Sequence, residues 1–235
     1  MKRERVADQP AFLLHSVPYS ETSLVLDLLT RDYGRVAALA KGAKRRGSAL
    51  RAVLMPFQPL RVTFSGNSEL RTLTGAEWVG GMAAPRGYGL LCAFYLNELL
   101  MRLMAREDAY PAIFDGYRDA VVALTEPGPL EDALRRFEWL VLRESGVAPD
   151  LERDADNRPI QPGGQYQWLP EGGFIAVAGG PDAVLGATLL DLAGNACRSD
   201  QSRQQAKYLT RRVLHHSLGG APLNTRRILR DLQRL

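Results

Sequence analysis

Between Asp32 and Glu69 the chain carries Arg35, Lys41, Lys44, Arg45, Arg46, Arg51 and Arg61, with no acidic residue between its ends. Nothing nearby in sequence neutralises these charges, and blocks of like charge that repel one another usually serve an interaction. The chemistry they can perform is neutralisation of phosphate, which gives affinity without base preference. Gly42 and Gly47 bracket the densest part, Lys44-Arg45-Arg46. Glycine allows tight turns, so the spacing predicts a flexible loop that projects four cations. Arg35, Lys41, Lys44, Arg45, Arg46 and Arg51 are the candidate nucleic-acid-binding residues.

Single-strand binding also needs aromatic platforms for the bases, and Tyr19, Tyr33, Phe57 and Phe64 are the candidates in this region. Phe57 follows Pro56, and Phe64 lies in an alternating strand pattern; both read as core residues, because a small barrel needs such packing.

Enzymatic constellations are not formed. His15 lies in an apolar strand context and His215-His216 in a basic helix, without the H-E-x-x-H spacing or a Cys/His cluster that would complete a metal site. Cys92 and Cys197 are too few and too far apart for a disulfide framework or a thiolate zinc site. Gly42 to Ser48 lacks the Gly-Lys-Ser/Thr order of a nucleotide-binding loop, and no G-x-S-x-G elbow presents Ser16 or Ser20 as a nucleophile. Asp150, Glu152, Asp154 and Asp156 fall in a polar loop without the apolar frame that fixes carboxylates around a nuclease metal. The expectation is a non-enzymatic protein with no catalytic residue, no metal and no cofactor.

The charge is segregated along the chain. Residues 1–81 hold twelve Lys/Arg against seven Asp/Glu, residues 82–197 nine against seventeen, and residues 198–235 nine against two. Positive ends around an acidic middle suit a polyanion better than a small metabolite. The longest apolar stretch, Leu90 to Leu100, is interrupted by Asn97 and Glu98 and is too short to span a bilayer. Asp8, Gln9 and Pro10 stand where a signal-peptide core would begin, so a cytoplasmic location is expected.

The elements that must position these residues are short strands first and helices after. Phe12–Val17, Ser23–Thr30, Arg35–Lys41, Leu60–Phe64 and Glu69–Trp78 read as five strands separated by Gly and Pro turns, with the basic loop at 42–48. Five strands in this length suggest a small barrel, of OB or SH3-like type. Beyond Pro85 the period becomes helical: Leu90 to Met104, Ala112 to Leu124 and Leu130 to Ser145 carry apolar stripes. Asp150 to Gly180 reads as an irregular insert with short strands at 166–168 and 173–177. Helices resume at Ala183–Ala193 and Gln201–Leu218, Gly219-Gly220 caps the second, and Leu223 to Leu235 reads as a short basic helix. The reading is an α+β protein with a barrel domain at 1–81 and a mainly helical domain at 82–235 that includes the insert at 150–180.

Several ordered motifs resemble a known family. Ala11-Phe12-Leu13-Leu14-His15-Ser16, Tyr19-Ser20-Glu21-Thr22-Ser23, Gly34-Arg35, Ala40-Lys41-Gly42-Ala43 and Pro56-Phe57 are similar to the N-terminal signature of RecO, the bacterial DNA repair and recombination mediator. Tyr95-Leu96-Asn97-Glu98-Leu99-Leu100, Leu134-Arg135-Arg136-Phe137-Glu138 and Leu218 to Arg226 resemble later landmarks. The resemblance implies an N-terminal OB-fold, a helical C-terminal domain, binding of single- and double-stranded DNA, and annealing of complementary strands. It further implies cooperation with RecR in loading RecA onto strands covered by single-strand-binding protein. Many family members carry two C-x-x-C pairs for zinc where this chain has Asp150 to Gly180 and no cysteine, so a zinc-lacking variant is implied. The family also docks the acidic C-terminal tail of single-strand-binding protein on its helical domain, for which Arg102, Arg106, Arg135, Arg136 and Lys207 are the candidate cations here. The alternative from the residues is an adaptor whose basic surfaces mainly recognise acidic partner tails, with DNA binding incidental.

Overall fold

Ala11-Phe12-Leu13-Leu14 is apolar at four successive positions, a pattern that suits a strand covered on both faces. In the computed structural model, which describes residues 5–128, 130–194, 196, 198–225, 227 and 228, all four are buried. They lie in β1 (Arg5–Pro18), which is long enough to serve two neighbours. Its first part pairs antiparallel with β4 (Pro59–Ser65) and its second with β2 (Leu24–Thr30). Irregularities between Val6 and Gln9 and between Leu13 and His15 let this strand bend around the sheet. β3 (Gly34–Ala40) follows β2, and β5 (Leu70–Trp78) pairs antiparallel with β4 and parallel with β3, closing a barrel in the order β1-β2-β3-β5-β4. The barrel is OB-like.

Side-chain alternation sends Ala11, Leu13, Leu26, Leu28, Val36, Ala38, Leu60, Val62 and Phe64 into the barrel core. A short helix that the sequence pattern did not reveal, α1 (Ala49–Val53), packs Leu50, Val53 and the following Leu54 on the same core. The outward residues of β1 are covered by helices. Phe12 makes ring contacts with Phe114 and Tyr117 of α3 (Pro111–Ala123), and Asn97 of α2 (Gly87–Leu103) donates to the Leu14 carbonyl at 2.8 Å. Tyr117, fully buried, donates its hydroxyl to the Asn97 amide oxygen at 2.6 Å. Burial pushes the phenol well above its ordinary range, outweighing the bond to Asn97, which acts in the opposite direction.

The compact units consequently do not follow the boundary read from the sequence at residue 81. One unit comprises residues up to 128 together with the described residues from 223 onward, and the other comprises 129–222. The change from strand to helix at 83–87 marks a change of element within one compact unit.

In the second unit, α4 (Leu130–Glu144) packs against α6 (Asp200–Ser217), which also contacts α5 (Gly186–Ala193). Ser199 caps α6 by accepting the Ser202 amide at 3.0 Å, and Gly219 and Gly220, both at positive φ, close it by donating to the His216 and His215 carbonyls. The insert is more regular than its composition suggested. β6 (Gln165–Leu169), β7 (Gly173–Val177) and β8 (Val184–Leu185) form a sheet in the order β7-β6-β8, with Tyr166, Trp168, Phe174 and Val184 buried. Gly186 is required because a Cβ there would stand 2.0 Å from the Gln161 carbonyl oxygen.

Residues 224, 225, 227 and 228 of the expected final helix are helical and Leu223 precedes them as a buried residue; 226 and 229–235, like Cys197, lie outside the described residues. Among the described residues no helix is long and apolar enough to cross a membrane.

Candidate nucleic-acid interface

The basic loop leaves β3 at Lys41 and enters α1 at Ala49. Its backbone is bonded within the loop and to the barrel. Gly42 turns with φ +70°, the Arg45 amide donates to the Gly42 carbonyl at 3.1 Å, and the Ser48 amide to the Arg45 carbonyl at 3.0 Å. Ala43 is buried in the barrel core, so the loop is nailed down at its centre. The Lys44 amide donates to the Thr22 carbonyl at 2.9 Å and its ammonium to the Ser20 carbonyl at 3.2 Å, tying this loop to the β1–β2 turn.

Lys41, Lys44, Arg45, Arg46 and Arg51 are exposed. Among the described residues no carboxylate is in ion-pair contact with any of them. Glu21 is the sole carboxylate within the two loops, residues 19–23 and 41–48. The arrangement is an exposed cationic surface on an ordered backbone, suited to holding a chain of phosphates.

Arg35, proposed from sequence for the same surface, is placed elsewhere. Its side chain is only 12% exposed, its Nε stands 3.4 Å from the Asp27 carboxylate, and its Nη1 donates to the Met101 carbonyl near the end of α2. Arg106, assigned from sequence to a different site, reaches the other Asp27 oxygen at 3.2 Å. The two arginines thus share one carboxylate, and the Glu107 amide donates to the Arg35 carbonyl at 3.0 Å, joining β3 to the segment after α2. The preceding Gly34 has φ +63° and faces the Asp108 carbonyl oxygen 2.0 Å from where a Cβ would be, so only glycine fits.

The remaining tail-binding candidates are divided between the units. Arg102, in the first, borders an apolar cleft of about 440 Å³ whose wall includes Leu14, Leu91, Phe94 and Met101. In the second, Arg135 is 12% exposed and bonded at 2.6 Å to the buried Glu138. Lys207 pairs with Glu131 at 2.6 Å, holding α6 to α4, and Arg136 is exposed. The Lys207 ammonium and burial act in opposite directions on Glu131, and the ammonium prevails, lowering its pKa with smaller help from Arg135 and Arg211.

The same cleft exposes a feature that sequence reasoning passed over. Glu98 lies in the wall, where one carboxylate oxygen accepts the Asn224 amide at 2.8 Å and the other accepts the Thr225 amide at 2.8 Å and hydroxyl at 2.6 Å. Burial acts to raise the Glu98 carboxyl, but those donors and the nearby Arg102 charge together hold it below the ordinary carboxylate range. This cap fixes the segment after residue 223 to α2, more than 120 residues away in sequence. The signal was the pair Asn97-Glu98 interrupting an otherwise apolar run, since buried polar groups need partners.

The aromatic candidates also sort themselves. Phe57 and Phe64 are buried, as expected of core residues, and Tyr33 packs edge-on against Phe64 at 5.8 Å. Tyr19 is 63% exposed. Of the acidic residues in the insert, Asp150 accepts the Glu152 and Arg153 amides and Asp154 accepts those of Asp156 and Arg158, so both serve as turn formers.

Comparison with known proteins adds an independent finding. Residues 1–82 match the family model described as recombination protein O N terminal, and residues 86–227 match recombination protein O C terminal. The chain is 48% identical over 239 residues to the DNA repair protein RecO of Aromatoleum aromaticum, covering 100% of this chain and 99% of the relative. It is 49% identical over 235 residues to the DNA repair protein RecO of Ralstonia nicotianae, covering 98% of this chain and 86% of that protein.

Proposed function

The chain belongs to the RecO family of DNA repair proteins, and on that premise we propose that it is a recombination mediator that binds single- and double-stranded DNA and anneals complementary strands. With RecR it helps load RecA onto strands covered by single-strand-binding protein, working in the cytoplasm at the nucleoid and without an active site of its own. The observation that carries this reading is the set of Lys41, Lys44, Arg45, Arg46 and Arg51, exposed on an ordered loop and short helix with no carboxylate partner among the described residues. Five exposed cations within one short ordered segment can neutralise phosphates and release their counterions on binding. Two strands held by such surfaces lose much of their mutual repulsion, which favours annealing.

For the acidic tail of single-strand-binding protein the candidates are taken unit by unit: Arg102 and Arg106 in the first, where the apolar cleft beside Arg102 suits the tail's apolar side chains, and Arg135, Arg136 and Lys207 in the second. Arg135, Lys207 and Arg106 already hold carboxylates, so an acidic peptide must compete for them, whereas Arg136 and Arg102 present charge to solvent.

The test is annealing of complementary oligonucleotides in low salt, with wild type and a Lys44→Glu/Arg45→Glu/Arg46→Glu variant. Faster annealing with wild type and a large loss in the variant is expected. Annealing no faster with protein than without would remove the mechanism. An adaptor that merely recognises acidic tails predicts that the variant keeps its DNA affinity.

A further inference from the structure

The β1–β2 turn and the basic loop form one hydrogen-bonded surface. Besides the two bonds from Lys44 to the Thr22 and Ser20 carbonyls, the Tyr19 amide donates to the Ser23 carbonyl at 3.1 Å and the Ser23 amide to the Ser20 hydroxyl at 3.2 Å. The backbone that carries Tyr19 is therefore fixed beside the cations. Its ring is 63% exposed and, among the described residues, packs on no other aromatic side chain. An aromatic ring left open to water on an ordered turn, next to uncompensated positive charge, matches what unpaired nucleotides require: a π-face for the base and cations for the flanking phosphates. A duplex, whose bases are already stacked, gains little from the ring.

We infer that Tyr19 is a stacking platform for an unpaired base of single-stranded DNA, held in place by the Lys44 tie between the two loops. The inference rests on the DNA-binding reading above and specifies what that surface prefers. The other aromatic residues read from the sequence for this role are buried or packed on the core, which leaves Tyr19 to perform it.

The experiment compares affinity for oligothymidylate, an abasic strand of equal length and a duplex at one salt concentration, using wild type, Tyr19→Ala, Tyr19→Phe and Arg45→Ala/Arg46→Ala. Loss of one stacked base predicts that Tyr19→Ala binds oligothymidylate about 5- to 150-fold more weakly. It should bind the abasic strand and the duplex as wild type does, while Tyr19→Phe binds every probe like wild type because the ring, not the hydroxyl, is used. Equal oligothymidylate binding by Tyr19→Ala and wild type overturns the inference. So does an equal loss on the abasic strand, which would mark a disturbed loop. The arginine variant separates the two levels: if it loses affinity while Tyr19→Ala does not, stacking fails and the DNA surface stands. If neither variant loses affinity, the surface itself is wrong. The side chain is exposed, so unchanged thermal unfolding is expected for both Tyr19 variants.

Discussion

Removing Arg45 and Arg46 together tests the cationic surface most directly, because both side chains are exposed and neither is in ion-pair contact with a carboxylate among the described residues. Lys44 is less suitable alone, since its ammonium also bonds the Ser20 carbonyl and its loss loosens the turn. Each phosphate neutralised on a single strand contributes about −0.7 to the slope of log affinity against log salt, so five contacts give about −3.5. Between 50 and 200 mM salt the wild type then loses roughly 130-fold in affinity. In Arg45→Ala/Arg46→Ala the slope becomes about −2.1 and the loss roughly 18-fold, so the two proteins converge by about sevenfold as salt rises. Fluorescence anisotropy of a labelled single strand across that salt range measures both slopes. A variant whose slope stays within about 0.3 of wild type would refute the assignment of these arginines to phosphate, and would move the DNA site away from the loop.

Arg35→Ala should behave in the opposite way: it leaves Asp27 to Arg106 alone and removes the bond to the Met101 carbonyl, at a cost of about 1–3 kcal/mol in urea unfolding, with little change in the salt slope of the protein that remains folded. Glu98→Gln should weaken the anchor of residues 224 and 225 by about 1–3 kcal/mol, read as faster amide exchange at those two positions. Because the Glu98 carboxyl is lowered by folding, its contribution is complete above the ordinary carboxylate range and is lost as pH falls through the folded-state pKa; the protection of those two amides, relative to the intrinsic exchange rate at each pH, should fall in acid for wild type and not for the Gln variant. Tyr117→Phe removes one buried hydrogen bond and should cost about 1 kcal/mol, whereas Asn97→Ala removes the bonds to both the Tyr117 hydroxyl and the Leu14 carbonyl and should cost about 2–4 kcal/mol in the same unfolding assay. Gly34→Ala should fail to give a stable protein, since its Cβ would stand 2.0 Å from the Asp108 carbonyl oxygen at a positive φ that alanine disfavours, and purification yield with circular dichroism would register it.

Short-range pattern carried much of this molecule. The alternation in 60–64 and 69–78, the glycine turns between strands and the helical stripes after residue 85 are local properties, and each appears as the corresponding element within a few residues. The concentration of positive charge between Asp32 and Glu69 is likewise a fact of sequence. What local pattern does not contain is the partner of each charge. Arg35 and Arg45 are equal in sequence terms, yet β2 brings Asp27 to within 3.4 Å of one, while among the described residues no carboxylate is in ion-pair contact with the other. The anchoring of the basic loop is non-local for the same reason: Gly42 and Gly47 mark its turns in sequence, but the burial of Ala43 and the bonds from Lys44 to another loop exist only in the folded chain. The cover over β1 is likewise invisible in local pattern, because Phe12 and Leu14 are ordinary strand residues until helices from beyond residue 81 pack on them. Local periodicity decides which segments become strands and helices. Coulombic and hydrogen-bond energies fall steeply with separation, so whether a given arginine serves phosphate or structure is decided only when the folded chain sets what lies within a few ångströms of it.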